Sequence, residues 1–405
     1  MRELDPKIEL QGVLFEQIYN VFQGDITTRI RRMCVGNGYD INFRSVMEGN
    51  NLKVQENLLP QLYNLCEEVK AKLGYTEAID FYIAGDSAVN ARSWSTDDEE
   101  RPHIIVINSG LYNLMDDEEL KYVIGHEIGH LINRDAVITD LYQFIYPDDD
   151  AKEDCPEFLE KRIDLFKQVA ELGADRYGYM ANENLDACVT AVFKIASGLL
   201  LDKMSVSIDT LIEENNNRLN YFLEDGGVSS GTHPVNPIRI HALELFANAK
   251  TQTALTKGMN ELVSILQTFV YEAIDPYLAD FVAASSVIVS RMDGRVDKFE
   301  EECIIDELGK FSLFPYKDLK RVEKGDVVKI FNDSVDKILE IDPKMDINLL
   351  NYFINVVFAD GVLDVREMDL IFEFGEKLGI SNGETARMIG IKLGKDFEPK
   401  ASLLK

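Results

Sequence analysis

The chain has 405 residues, 46% of them apolar, and a formal charge of −29 from 71 acidic against 42 basic side chains. That length allows two or three domains, each able to bury a core, and the apolar fraction is ordinary for globular proteins. So acidic a surface repels phosphates and excludes nucleic acid and anionic membrane surfaces as partners, although much of the acidity is simply a solvated face.

In chain order, the first residues, Met1 to Lys7, are charged and have no apolar core behind them, so no signal peptide is visible. Residues 1–75 predict amphipathic helices, broken near Gly36-Asn37-Gly38 and Gly49-Asn50-Asn51. Short strands follow at 79–84 and 104–107, and then a strongly helical run from Asp116 to Arg134. The acidic stretch from Pro147 to Pro156 separates that helix from the next. The longest apolar stretch, Leu185 to Leu201, contains Asp186 and Lys194 and is short for a membrane span, so it predicts a buried helix. The Gly/Ser-rich run from Asp225 to Gly231 predicts a surface loop. Cys34, Cys66, Cys155, Cys188 and Cys303 are scattered, odd in number and without C-x-x-C spacing, as expected of free thiols in a reducing cytoplasm. The fold class expected is mainly α with a small β-sheet (α+β).

The run His126-Glu127-Ile128-Gly129-His130 carries the most chemistry. Histidines four apart stand one above the other on a helix, so both imidazoles reach a single Zn²⁺. Leu120, Val123, Ile124, Ile128 and Leu131 form one apolar stripe, and Glu127 falls near its middle. A carboxylate there costs stability unless something polar awaits it. Water on a zinc ion is such a partner, with Glu127 as its general base. A third ligand is still needed, and no third histidine follows the motif, because the chain continues Leu131-Ile132-Asn133-Arg134-Asp135. The helical run Glu171-Leu172-Gly173-Ala174-Asp175 offers two acids on one face, one to ligate and one to hold a histidine N–H. Its small and apolar flanks, Val169, Ala170, Leu172, Gly173, Ala174, Tyr177 and Gly178, suit tight packing on another helix. His103 and His241 have no spaced partner and are expected to be structural.

On these residues the segment 78–247 resembles the zinc metallopeptidases of the HtpX and CaaX-prenyl-endopeptidase type, a gluzincin family. Asn90-Ala91 resembles the family's N-A-F segment, with Arg92 in place of the phenylalanine. Residues 104–111 resemble its edge strand and the S-G-L turn after it, and 123–131 its active-site helix. Residues 171–178 resemble E-x-x-A-D-x-x-G, and Thr232-His233-Pro234 followed by Arg239 resembles the late H-P…R motif. The resemblance implies one zinc per chain on His126, His130 and Glu171, with Asp175 holding a ligand in place. It also implies that Glu127 is the general base and that His233 and Arg239 lie near the reacting carbonyl. An extended polypeptide is expected to add to the strand 103–107, with Asn90, Ile105 and Ile107 as substrate-binding residues. The membrane members' transmembrane helices have no counterpart here.

Beyond about residue 255 an internal repeat appears. The pattern D-G-x-h-D-x-x-E occurs at Asp293, Asp297 and Glu300 and again at Asp360, Asp364 and Glu367, each copy followed by an apolar helical run. This resembles the all-helical TerB-like domain associated with tellurite resistance. The six acids are hard oxygen ligands suited to Ca²⁺ or Mg²⁺. Equally, Asp297 and Asp364 are placed to cap helices, with Glu300 and Glu367 reaching back three residues on, and this D-x-x-E spacing is the commoner feature at helix starts. The expected domains are a helical segment at 1–75 packing on the peptidase, a peptidase domain at 76–252 and a TerB-like domain at 258–398. Two functions follow: a cytoplasmic zinc endopeptidase in stress response or protein quality control, or a silent zinc scaffold whose C-terminal helices bind a protein partner or sense a metal ion.

Overall fold

A computed structural model describes residues 4–96, 101–200, 207–225, 234–293, 298–358 and 363–396; within these, the side chains of 35–43, 221–225, 268–270, 292–293, 298–300, 303 and 395–396 are not described. The chain forms two compact units, one of residues 1–155 and 159–270, the other of 156–158 and 271–405.

The first unit opens with helices α1 (Glu9–Val21) and α2 (Gly24–Asn50), strand β1 (Leu52–Lys53), helix α3 (Pro60–Lys72) and strands β2 (Ile79–Ala84), β3 (Ala91–Trp94) and β4 (His103–Asn108). Helices α4 (Ser109–Leu114), α5 (Asp117–Asn133), α6 (Ala136–Ile145), α7 (Asp149–Glu153), α8 (Glu157–Asn182), α9 (Leu185–Ser197), α10 (Ile208–Asp225), α11 (Asn236–Asn248) and α12 (Gln252–Val270) follow. The mainly α architecture with one small sheet is as expected. Helix α2 runs unbroken through 36–38, where a break was expected. A glycine costs only about 1 kcal/mol against alanine inside a helix, and a 27-residue helix absorbs that. Helix α12 belongs to the first unit and packs on α11, so the division falls at 270/271 rather than between 252 and 258.

The sheet has the order β1-β2-β4-β3, with β2 and β4 parallel and the other pairs antiparallel. β4 pairs with β2 from Ile79↔His103 to Ala84↔Asn108 and with β3 from Ala91↔Ile107 to Trp94↔Ile104. This corrects the expected docking strand. Both edges of β4 are paired, and Ile105 and Ile107 are fully buried in the core with α5, so β4 offers no edge to an added strand. Among the described residues the sheet ends on this side at β3, with Asn90 exposed at its start.

Helix α5 begins at a capping box: Asp116 Oδ1 accepts from the Glu119 amide, and Glu119 Oε2 accepts from the Asp116 amide, both at 2.9 Å. Glu119 is itself buried and also accepts from Lys194 Nζ at 2.6 Å and Thr190 Oγ1 at 2.8 Å. Both donors lie on α9, the buried helix expected from the 185–201 stretch. The start of the HExxH helix is thus fixed by a satisfied charge pair. Among the described residues no helix is long and apolar enough to cross a membrane.

The second unit is helical in its described residues: α13 (Asp275–Asp293), α14 (Lys298–Leu308), α15 (Pro315–Lys324), α16 (Val327–Ile341), a 3₁₀ turn (Pro343–Met345), α17 (Asp346–Val357), α18 (Val365–Lys377) and α19 (Asn382–Asp396). Its core centres on Phe281, Phe331, Phe353 and Phe374, whose rings pack 4.9–6.0 Å apart. Asp364 caps α18 as expected: its Oδ1 accepts from the amides of Arg366 at 2.7 Å and Glu367 at 2.9 Å, and Glu367 Oε2 accepts from the Asp364 amide at 2.9 Å. In the other copy, Asp297 lies outside the described residues, as does Asp360; the side chains of Asp293 and Glu300 are not described. The Ca²⁺ or Mg²⁺ alternative gains no support, because the two described acids already face backbone amides.

Candidate metal centre

Helices α5 and α8 cross at a separation that only small residues permit. A Cβ at Gly125 would lie 2.5 Å from Ala181 Cβ and 2.9 Å from the Tyr177 carbonyl oxygen. One at Gly129 would lie 3.0 Å from Ala174 Cα, and one at Gly178 would meet the Tyr122 ring at 2.6 Å. The glycine inside H-E-I-G-H therefore lets α8 bring Glu171 and Asp175 against the two histidines.

The three expected ligands converge. His126 Nε2 and His130 Nε2 are 3.1 Å apart, Glu171 Oε2 is 3.5 Å from the first, and Glu171 Oε1 is 3.4 Å from the second. Zinc–nitrogen and zinc–oxygen bonds of ordinary length at a tetrahedral angle place ligand atoms about 3.3–3.5 Å apart, so these donors fit zinc. Among the described residues this is the one group of three or more His, Cys, Asp or Glu side chains that could hold a metal.

The hydrogen bonds behind the histidines fix their tautomers. His126 Nδ1 donates to Asp175 Oδ1 at 2.9 Å, and His130 Nδ1 donates to Asp135 Oδ2 at 2.9 Å. With each Nδ1 donating to a carboxylate behind it, both Nε2 atoms turn toward the Glu171 carboxylate, where a bound cation would take the place of their protons. Burial pushes both imidazoles down, but hydrogen bonds to Asp175 and Glu171 hold His126 above its ordinary value. Bonds to Asp135 and Glu171 hold His130 well above it. Burial would raise Glu171, yet its histidine neighbours keep it well below the usual carboxylate range. The site is sunken but open, with His130 19% and Glu171 13% exposed.

Asp175 is the hub. Beside His126 it accepts from Tyr122 Oη at 2.7 Å, from Arg239 Nη2 at 2.6 Å and, on Oδ2, from Arg239 Nε at 2.9 Å. Burial opposes its charge, but Arg239 and His126 hold its carboxyl well below the usual range. Arg239, expected near the reacting carbonyl, lies against this hub. Its guanidinium forks onto Asp175 and approaches Glu171 Oε2 at 3.8 Å, a placement suited to positioning the groups around it.

Glu127 is buried, 7% exposed, and has no hydrogen-bond partner among the described residues. His233 lies outside the described residues. His103 sits between Glu77 Oε2 at 2.7 Å and the Thr96 amide at 3.0 Å, and His241 is 3.7 Å from Glu244 on its own helix; neither joins the cluster. Two residues were not anticipated. Tyr122 stands one turn before His126. Asp135 reaches His130 because Arg134 adopts the left-handed conformation (φ 58°) that ends α5 and folds the next residue back over its last turn. An acid five residues beyond the second histidine, just past the helix end, was the signal available.

Residues 60–146 match the family described as Peptidase family M48. The chain is 23% identical over 225 residues to the plastoglobule-localized metallopeptidase 48, chloroplastic, of Arabidopsis thaliana, covering 52% of this chain and 64% of that protein. It is 30% identical over 95 residues to a protease HtpX homolog of Tropheryma whipplei (strain Twist), covering 24% and 32% respectively. It is 35% identical over 77 residues to another from Thermoanaerobacter pseudethanolicus, covering 19% and 25%. The chain thus spans less than two thirds of the length of these curated relatives. No solved structure matches it. The family match ends before Glu171 and Arg239, which the fold brings to the histidine pair independently.

Proposed function

We propose that the chain is a zinc-dependent endopeptidase acting on extended polypeptide. The observation that carries this reading is the convergence of His126 Nε2, His130 Nε2 and a Glu171 carboxylate oxygen, with both Nδ1 atoms engaged by carboxylates behind. Zinc held there supplies a Lewis acid that polarises a carbonyl and lowers the pKa of a water to about 7. The Glu127 carboxylate, on a residue 7% exposed and hydrogen-bonded to no described residue, is suited to take the attacking water's proton and return it to the leaving amine. Asp175 and Asp135 keep the imidazoles in the ligating tautomer, and Arg239 and Tyr122 keep Asp175 ionised and oriented. A scaffold without activity has no use for an unpartnered acid at Glu127, which favours the enzyme.

Substrate is best accommodated along β3, which ends the sheet on this side among the described residues, where main-chain pairing reads an extended shape rather than a particular sequence. Such selectivity suits unfolded chains, hence a role in stress response or protein quality control. A cytoplasmic setting accords with the free thiols of Cys34, Cys66 and Cys188. The helices beyond residue 271 serve as a TerB-like module that engages a protein partner. Incubating the zinc-loaded chain with casein tests the central reading: new fragments should appear, disappear with a chelator and return with zinc. Casein left whole under all three conditions would refute it.

A further inference from the structure

Helix α1 lies more than a hundred residues before the HExxH motif in sequence, yet it delivers a buried amide to the metal centre. Gln11 is 6% exposed, and its Nε2 donates to Asp135 Oδ1 at 2.6 Å. The other oxygen of that carboxylate accepts from His130 Nδ1 at 2.9 Å. Gln11 is held firmly. Its Oε1 fills the space a Cβ at Gly173 would take, 2.6 Å from that point, so the small residue two positions after Glu171 makes room for it. The segment before it is tied to the same helix, because Arg176 Nη1 donates to the carbonyls of Pro6 at 3.1 Å and Lys7 at 3.3 Å. Behind it, Leu14 and Ile18 are fully buried, and Phe15 packs on Phe166 of α8 with ring centres 6.2 Å apart.

We infer that Gln11 is a positioning residue of the metal centre: by donating to Asp135 Oδ1 it holds the carboxylate that fixes His130 as a metal ligand. The inference rests on the zinc reading above and extends it to a helix outside the segment that matches the peptidase family. A carboxylate with one oxygen on an imidazole N–H and the other free can rotate away from the ring plane, whereas one gripped at both oxygens cannot. Partners of this kind typically change metal affinity 10–100-fold when removed.

The test uses the full chain and zinc alone. Zinc affinity is measured by competition with a chromogenic chelator for the parent, for Gln11→Met, which keeps the length but removes the donor, and for Leu14→Ala, which weakens the docking of α1 without touching Asp135. Gln11→Leu is the second donor-free variant should Gln11→Met not fold. Cobalt(II)-substituted protein reports the ligand field directly through its visible spectrum. The expected result is zinc affinity lowered roughly 10–100-fold in the donor-free variant, an altered cobalt spectrum, and a parent-like constant and spectrum for Leu14→Ala. Parent-like binding and spectrum in Gln11→Met would overturn the inference while leaving the metal site intact. Equal losses in Gln11→Met and Leu14→Ala would also overturn it, since docking of α1 would then be the whole effect. A parent that binds no zinc would defeat the reading beneath it and the inference together.

Discussion

Asp175 shows how little of a metal centre consists of its ligands. Its carboxylate accepts from Tyr122, His126 and both Nε and Nη2 of Arg239, all buried. Removing Arg239 leaves an uncompensated charge beside the ligands, so Arg239→Met is expected to cost ~3–5 kcal/mol of unfolding free energy in urea. It should also weaken zinc binding. Unchanged stability would mean that Asp175 draws its support from Tyr122 and His126 alone. The ligands themselves were legible in the sequence, because H-E-x-x-H and E-x-x-x-D each place their residues on one helical face. Arg239's fork onto Asp175 was not, since a motif gives a residue's presence but not the direction its side chain takes. Asp135 depends on a left-handed turn at Arg134, a conformation that nothing in an arginine announces.

At the scale of the element, the crossing of α5 and α8 is set by what is missing from the side chains. Gly125→Ala would put a methyl 2.5 Å from Ala181 Cβ and 2.9 Å from a backbone oxygen. The helices must then part, at an expected cost of ~1–3 kcal/mol, and the Glu171 carboxylate moves off the histidine pair. A lower melting temperature together with weaker zinc binding would bear this out; a change in one alone would not. The small-residue flanks of Glu171 foretold this packing. The sheet was harder to foresee. The run Ile104-Ile105-Val106-Ile107 has no polar alternation, which marks a strand buried on both faces and paired on both edges rather than an edge. The short β1 and β3 carry too few residues for a two-residue period to show. In the second unit, Asp364→Ala should lower stability slightly by removing the cap of α18, and calcium should have no effect on parent or variant. Stabilisation of the parent by calcium would revive the metal alternative for the repeated acids.

The whole molecule comprises two compact units with separate cores, and the metal centre lies in one of them. Scanning calorimetry is expected to resolve two transitions, of which zinc raises only one. A hundredfold excess of free zinc over its dissociation constant stabilises the binding unit by about 2.7 kcal/mol. A single transition, or two that shift together, would mean that the units unfold as one. The repeat at 293–300 and 360–367 sets the C-terminal helices apart in the sequence. The side on which α12 falls is not legible there, because its amphipathic pattern says that it packs but not on what.

The most direct test of the account is casein cleavage by the zinc-loaded parent beside Glu127→Ala. The variant is expected to bind one zinc as the parent does and to cleave at least ~10²-fold more slowly, in line with the loss of a general base. Equal cleavage by both would show that Glu127 does not handle the proton, and the mechanism built on its burial would be wrong.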